Sequence, residues 1–167
     1  MTAPQELQLN YRHAFHAGNF ADVVKHVALA LCLDRLNAKE APYRYIDTHA
    51  GIGLYDFEGE EAGRSPEWKD GVGRIWEAER GAPDLVRASL APWLNVIRRL
   101  NSGGVQHYPG SPVLAAEMMR KDDALRLCEL HPPSAELLRQ AMGRDKRVKI
   151  EERDGFDALA AYLPPPE

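Results

Sequence analysis

Residues 43–53 read Tyr-Arg-Tyr-Ile-Asp-Thr-His-Ala-Gly-Ile-Gly, an apolar run followed by a turn that carries two glycines. The aromatic and β-branched residues between Tyr43 and Ile46 predict a short strand. Gly51 and Gly53 then allow the backbone to approach a ligand closely, as it does at the strand ends of nucleotide-binding sheets. An ordinary tight turn would use the same glycines, so this segment alone leaves both interpretations open.

Two further strands are predicted downstream, and each leads into an acidic residue. Residues 125–128 end at Glu129, and residues 148–150 lead through Arg153 to Asp154-Gly155. Helical patterns precede and separate these strands. Strands that alternate with helices are typical of a parallel sheet with helices on its faces, so the sequence predicts an α/β fold.

The first helix is predicted over residues 19–37, with Asn19 as its cap and the Asp22 carboxylate in its first turn. One helical face carries Asp22, Lys25 and His26 and then turns apolar, which predicts a polar cleft lining beside a buried surface. A second stripe is apolar throughout. Around residues 29–33 the helix is apolar nearly all round, so this part is predicted to be buried. The apolar stripe comprises Phe20, Val24, Val27 and Leu31.

Later helices are predicted over residues 110–119, 134–142 and 156–163. The region between residues 65 and 101 differs in character, because three helical pieces and all three tryptophans fall there. It is predicted to have its own small core, with Pro92 breaking or kinking its last helix. A short strand is predicted over residues 105–108.

Composition and hydropathy indicate a globular domain and argue against a membrane span, a signal peptide and a broad basic surface. The 167 residues are 44% hydrophobic and 28% charged, with a net charge of −4, as expected for a globular domain that buries a real core. The longest apolar run is too short to span a bilayer, and residues 1–10 show no signal-peptide pattern. Cys32 and Cys128 are therefore expected to be buried free thiols in the cytoplasm. The acidic balance argues against a broad basic surface for nucleic acid, although not against a local one.

The residues after the three strands indicate a nucleoside site. Glu129 can accept hydrogen bonds from both hydroxyls of a ribose, Asp154 can accept from an adenine amino group, and Gly155 leaves room for the ring. Each residue also has a plain alternative, since Glu129 can be solvated and Asp154 can cap the last helix. Their joint placement at successive strand ends favours the site. The third glycine of the dinucleotide fingerprint is absent, and so is a phosphate loop, so S-adenosylmethionine is favoured over NAD or ATP.

The N-terminal segment concentrates polar residues, and three of the six histidines lie between residues 13 and 26. A metal site formed by His13, His16 and His26 is one interpretation, but no Cys or Glu completes a recognisable ligand set. Capping and surface groups are the plain alternative.

The segment from Tyr11 to His26, Tyr-Arg-His-Ala-Phe-His-Ala-Gly-Asn-Phe-Ala-Asp-Val-Val-Lys-His, resembles the N-terminus of a bacterial methyltransferase family. Members of that family methylate the N6 amine of an adenine in 23S ribosomal RNA. Similar motifs continue along the chain at residues 45–55, 108–112, 129–132 and 154–155. The resemblance implies a Rossmann-like methyltransferase domain with an inserted helical subdomain. The implied organisation is residues 1–53, the insert over 54–108, and the continuation of the first domain over 109–167.

The resemblance also implies roles for individual residues. Tyr11 corresponds to a tyrosine near the entering adenine of the RNA. No membrane and no metal are implied. The residues that would contact S-adenosylmethionine are Lys25, His26, His49, Ser111, Glu129, Asp154 and Gly155.

The chain departs from the family in one respect that concerns catalysis. The family places an Asp/Asn-Pro-Pro-aromatic motif after its fourth strand, and this sequence contains none, since Pro164-Pro165-Pro166 follows Leu163 and precedes Glu167. No catalytic residue is therefore assigned, and the chain is expected to be an inactive portion truncated after the third strand. In the usual strand order the first strand, over residues 43–46, would be left as an exposed edge that can pair with another chain. The oligomeric state is left open.

Two alternative functions remain at this point. The chain could be a non-catalytic module that binds RNA or a nucleoside, or a different nucleoside-dependent enzyme such as an NAD-linked oxidoreductase. The missing third glycine weighs against the second alternative.

Overall fold

The computed structural model describes residues 15–59 and 66–163. Its helices and strands alternate along most of the chain, as the sequence predicts. The helices are α1 (Phe20–Asn37), α2 (Val72–Ala78), α3 (Asp84–Leu100), α4 (Ser111–Met118), α5 (Pro132–Met142) and α6 (Gly155–Tyr162). The strands are β1 (Arg44–Asp47), β2 (Leu54–Asp56), β3 (His107–Pro109), β4 (Ala124–Cys128) and β5 (Val148–Glu151), and 3-10 turns span Glu67–Lys69 and Glu79–Gly81.

The central sheet is parallel and has the order β1-β4-β5. Tyr45 pairs with Leu125, and Leu125 pairs in turn with Val148, so the carboxyl ends of all three strands lie at one edge. The predicted α/β class is confirmed. Within the described residues β1 has β4 as its only neighbour, which makes it an edge strand of this sheet.

A second, antiparallel pair of strands was not fully predicted. β2 pairs with β3 through Tyr55 and Tyr108. The sequence indicates β3 but not β2, because a strand of three residues is too short to show a period of two. This pair brackets the region that holds α2 and α3.

Helix α1 begins where the sequence predicts, and the Asn19 side chain accepts a hydrogen bond from the Asp22 amide at 3.0 Å. The predicted burial of residues 29–33 holds only in part, because Ala30 and Leu33 are buried whereas Leu31 is 41% exposed. In the apolar stripe Phe20 and Val24 are 74% and 67% exposed. Apolar residues occur on two faces of this helix, and the face that packs against the protein carries Val23, Ala30 and Leu33, together with Asp22 and His26. Cys32 is likewise exposed, contrary to expectation, whereas Cys128 is buried as predicted.

The tryptophan-bearing region packs around an apolar cluster that is separate from the one at the sheet, but the region does not form this cluster alone. Trp93 is fully buried in it, and α1 contributes Val23 and Ala30. Helix α3 continues through Pro92, so the predicted break does not occur, while a kink there stays a prediction. The residues that follow Pro92 are buried in that cluster. The division of the chain into a domain and an insert over residues 54–108 stays a prediction.

A second apolar cluster lies between the sheet and the helices on one of its faces. Leu125 and Leu127 of β4 contact Leu33, Ala115 and Leu138 there. No helix within the described residues is long and apolar enough to cross a membrane.

Candidate functional site

The turn after β1 is organised by the carboxylate of Asp47. Its Oδ1 accepts the His49 amide at 3.1 Å, and its Oδ2 accepts the Ser111 hydroxyl at 2.6 Å and the Tyr45 hydroxyl at 2.9 Å. Burial, followed by the charge of Asp47, raises the pKa of Tyr45, so that this hydroxyl keeps its proton and donates. Asp47 therefore joins the end of β1 to the first residue of α4.

The two glycines of this turn are required by its backbone. Gly51 and Gly53 have φ angles of +65° and +85°, which side-chain-bearing residues rarely adopt. The Gly53 carbonyl accepts the Gly110 amide at 2.8 Å, which brings the start of α4 against the turn.

Glu129 lies at the end of β4, beside the same turn. Its Oε2 accepts the Gly51 amide at 2.8 Å, and its Oε1 accepts the His131 amide at 2.9 Å. Each carboxylate oxygen has two lone pairs, so both can accept a further hydrogen bond from a ligand hydroxyl.

Asp154 caps α6, which is the alternative role that the sequence leaves open for this residue. Its Oδ1 accepts the amides of Phe156 at 2.8 Å and Asp157 at 3.1 Å. Gly155 packs so closely on the β1 turn that a Cβ atom there would lie 2.0 Å from the Thr48 carbonyl oxygen. The start of α6 is thus held in direct contact with the residue before His49.

Two apolar side chains at this edge were missed in the sequence. Phe156 is 68% exposed and meets the His49 ring edge-on, with 5.1 Å between the ring centroids. Leu130 is 63% exposed and directly follows Glu129. The signal that would have found them is an apolar residue one or two positions beyond each strand-end acid, where a solvated loop would favour a polar one.

Two predicted site residues, Lys25 and His26, lie on α1. His26 is fully buried, and its Nδ1 lies 2.8 Å from the hydroxyl of Tyr108, which is also fully buried and three residues before Ser111. Burial raises the pKa of Tyr108, so its hydroxyl stays protonated. The ammonium of Lys25 lies 2.6 Å from the Asp22 carboxylate.

The predicted site residues therefore fall into three groups. His49, Ser111, Glu129, Asp154 and Gly155 meet around the β1 turn. His26 contacts Tyr108 in the segment that leads into α4, whereas Lys25, the residue before it, pairs with Asp22. Tyr11 and His13 lie outside the described residues. Within residues 15–59 and 66–163, no group of three or more His, Cys, Asp or Glu side chains is arranged to hold a metal ion.

This arrangement defines the class of the protein. It is an open α/β fold in which a parallel sheet, a glycine turn and two strand-end carboxylates share one edge, the place where ligands bind in such folds. The chain belongs to the family described as "RsmJ: Ribosomal RNA large subunit methyltransferase D, RlmJ", which it matches over residues 40–167. The family resemblance inferred from the sequence is thereby confirmed.

Individual relatives agree with this assignment. The chain is 44% identical over 158 residues to the protein of Escherichia coli (strain K12) named "Ribosomal RNA large subunit methyltransferase J", covering 94% of this chain and 55% of that protein. It is 41% identical over 161 residues to the protein of the same name from Haemophilus influenzae, covering 95% of this chain and 56% of that protein. The chain spans about half the length of the curated relatives it matches.

A solved structure shows the same fold. A crystal structure of a protein from Legionella pneumophila is similar to this chain with a TM-score of 0.81 and 37% sequence identity. The similarity covers 90% of this chain and 54% of that one.

Proposed function

We propose that the whole protein transfers a methyl group from S-adenosylmethionine to the N6 amine of an adenine in 23S ribosomal RNA, and that this chain supplies most of its cofactor site. The observation that supports the proposal is the meeting of the Gly51 turn, Glu129 and the Asp154-Gly155 pair at one sheet edge. The names of the relatives support the reaction class.

The chemistry of these residues fits the cofactor part by part. Glu129 would accept hydrogen bonds from the ribose hydroxyls, and the Asp154 carboxylate would accept from the adenine amino group. Phe156 and Leu130 offer exposed apolar surfaces to the faces of the purine, which apolar and aromatic side chains stack against.

The amino-acid end of the cofactor would lie at the start of α4. Ser111 is the first residue of that helix, where backbone amides point outward and favour an anion such as a carboxylate. His49 adds a ring nitrogen in the β1 turn, and Lys25 of α1 is proposed to add a positive charge. His26 is fully buried and would act on the site through its contact with Tyr108.

The bound cofactor supplies an electrophilic methyl group. An adenine amine is a weak nucleophile because its lone pair is delocalised into the ring, so the acceptor needs polarising groups and accurate placement. The family's Asp/Asn-Pro-Pro-aromatic motif provides such groups, and this sequence does not contain it. The residues of this chain are therefore assigned to binding and orientation, with Tyr11 near the entering adenine, which must leave its base stack.

The proposed organisation follows the family. Residues 54–108 form a helical insert in a methyltransferase domain, the partner is 23S ribosomal RNA, and the protein works in the cytoplasm without a metal. The edge of β1 is the place where a further strand of the complete domain would pair.

A genetic experiment tests the reaction in the intact protein. Disruption of the gene should remove one N6-methyladenosine from 23S ribosomal RNA, as measured by mass spectrometry of nuclease fragments, and the complete gene should restore it. Purified residues 1–167 should bind the cofactor but transfer no labelled methyl group to unmodified RNA. Methyl transfer by these residues alone would contradict the assignment of no catalytic residue. Salt-dependent RNA binding without cofactor binding would favour a non-catalytic RNA-binding module instead.

A further inference from the structure

Glu67 joins the tryptophan-bearing region to the segment that leads into α1. It lies in the 3-10 turn Glu67–Lys69, and its Oε2 accepts the Asn19 side-chain amide at 2.9 Å. The same carboxylate lies 3.0 Å from Nδ1 of His16. These partners are about fifty residues away in sequence, so the contact is a specific tertiary link rather than a local turn.

A backbone contact reinforces this link. The Val72 amide donates to the Gly18 carbonyl at 2.9 Å. The approach is close enough that a Cβ atom on Gly71 would lie 2.0 Å from the Gly18 oxygen. The loop before α1 is therefore seated directly on the residues that follow Glu67.

Asn19 passes this constraint into the first turn of α1. While its amide nitrogen donates to Glu67, its Oδ1 accepts the Asp22 amide at 3.0 Å and caps the helix. The Asp22 carboxylate is only 4% exposed, and its Oδ2 accepts the Gly18 amide at 3.1 Å. Its Oδ1 lies 2.6 Å from the Lys25 ammonium. Contacts therefore run without interruption from Glu67 to Lys25.

The Lys25 side chain, at the end of these contacts, is accessible to a ligand. The Lys25 side chain is 54% exposed although its ammonium rests on a buried carboxylate. One helical position later, His26 contacts Tyr108, which leads through residues 109 and 110 to Ser111 at the start of α4. Under the proposed function Lys25 contacts the cofactor, and its ammonium would favour the carboxylate of the amino-acid end.

We propose that Glu67 is a positioning residue, which acts through Asn19 and Asp22 to hold the Lys25 ammonium for the carboxylate of the cofactor's amino-acid end. The inference rests on the proposed function, because it assumes that the cofactor is S-adenosylmethionine. Glu67 itself does not contact the cofactor. The tryptophan-bearing region thus contributes to cofactor affinity although it lies outside the parallel sheet.

Two ligands separate this role from a general effect on folding. S-adenosylhomocysteine carries the amino-acid end, whereas 5′-methylthioadenosine lacks it and keeps the adenosine. The substitution Glu67→Ala should lower the affinity of the full chain for S-adenosylhomocysteine about tenfold, as measured by calorimetry. The affinity for 5′-methylthioadenosine should stay unchanged. Glu77→Ala, which removes an exposed carboxylate from α2, should leave both affinities unchanged and serves as the matched control.

A second variant guards against loss of structure. Asn19→Asp keeps an oxygen to cap α1 but replaces the donor to Glu67 by a like charge, so it should reproduce the selective loss. In a Lys25→Met background, Glu67→Ala should cause no further loss, because the ammonium that it positions is gone.

The contrary results are distinct. If Glu67→Ala lowers the affinity for both ligands equally, the positioning role is wrong. It is also wrong if Glu67→Ala lowers the affinity for S-adenosylhomocysteine by the same factor in the Lys25→Met background as in the wild type. If the wild-type chain binds neither ligand, the proposed function fails and the inference fails with it. Binding of both ligands by the wild type with an unaffected Glu67→Ala variant overturns the inference alone.

Discussion

The amide of Gly51 donates a hydrogen bond to the carboxylate of Glu129, with 2.8 Å between the nitrogen and Oε2. The bond links the turn after β1 to the end of β4, two strands that are neighbours in the sheet. It fixes the orientation of a carboxylate that still has lone pairs for a ribose. The glycine turn and the strand-end acid, which are 78 residues apart in sequence, therefore act as one structural unit.

Removing this carboxylate should weaken cofactor binding. Glu129→Ala loses both the link to Gly51 and the acceptors for the ribose, and hydrogen bonds to charged groups contribute about 1.5–3 kcal/mol. The affinity for S-adenosylhomocysteine, measured by calorimetry, should therefore fall roughly tenfold or more. Glu136→Ala, on the exposed face of α5, should bind like the wild type. Equal affinity for the Glu129 variant would remove this residue from the site.

Phe156 should contribute to recognition of the purine. Its ring is 68% exposed beside His49, and stacking of a base on an aromatic ring contributes about 1–3 kcal/mol. Phe156→Ala should weaken 5′-methylthioadenosine and S-adenosylhomocysteine to a similar degree, whereas Phe156→Trp should retain binding.

The matched control is Leu85→Ala, which truncates a side chain that is 79% exposed on α3. If Phe156→Ala and Leu85→Ala both bind like the wild type, Phe156 has no role at the purine.

A methyl group on Gly155 should destabilise the protein. The added Cβ would lie 2.0 Å from the Thr48 carbonyl oxygen, which is backbone and cannot rotate away. Gly155→Ala should lower the free energy of unfolding by about 1–3 kcal/mol, as overpacked sites do, in urea denaturation. Gly104→Ala, where a Cβ meets nothing within 4 Å, should leave stability nearly unchanged. A fully stable Gly155→Ala protein would show that α6 does not pack on the β1 turn as described.

Acid should weaken the link between β5 and α4. The hydrogen bond from Arg147 holds the pKa of Asp145 below its ordinary value of 3.8, and Arg147 also donates to the Met119 carbonyl at 2.7 Å. Because the folded-state pKa is lowered, the stabilisation is present above the unfolded-state pKa and is lost as the pH falls through the folded value.

Urea unfolding at about pH 7 and about pH 3 measures this contribution. Asp145→Asn should lower stability at the higher pH and reduce the difference between the two conditions. Asp122→Asn, at an exposed position, should change neither. The same pH dependence in the Asp145 variant and the wild type would contradict the assignment.

The parallel sheet and its functional edge were predictable because local patterns determine them. Strand residues at 43–46, 125–128 and 148–150 alternate with helices, and the carboxyl ends of parallel strands meet at one edge wherever the helices lie. The residues that follow those ends, Glu129 and Asp154, could therefore be chosen without knowledge of the packing. The structure adds that Asp154 also caps α6.

The errors concern properties that depend on distant contacts. Helix α1 has apolar residues on two faces, and its packing against α3 and α4 decides that Val23 and Leu33 are buried while Phe20 is exposed. The same dependence explains why the links from Tyr108 to His26 and from Glu67 to Asn19 were missed. Their partners are 82 and 48 residues apart, beyond the range of any helical or strand period.

Calorimetric titration of the folded 167-residue chain with S-adenosylhomocysteine tests the central claim most directly. The account predicts saturable heat with one site per chain, reduced by Glu129→Ala and unaffected by Glu136→Ala. A well-folded sample that shows no saturable heat would contradict the claim that the edge formed by Gly51, Glu129 and Asp154 is a cofactor site.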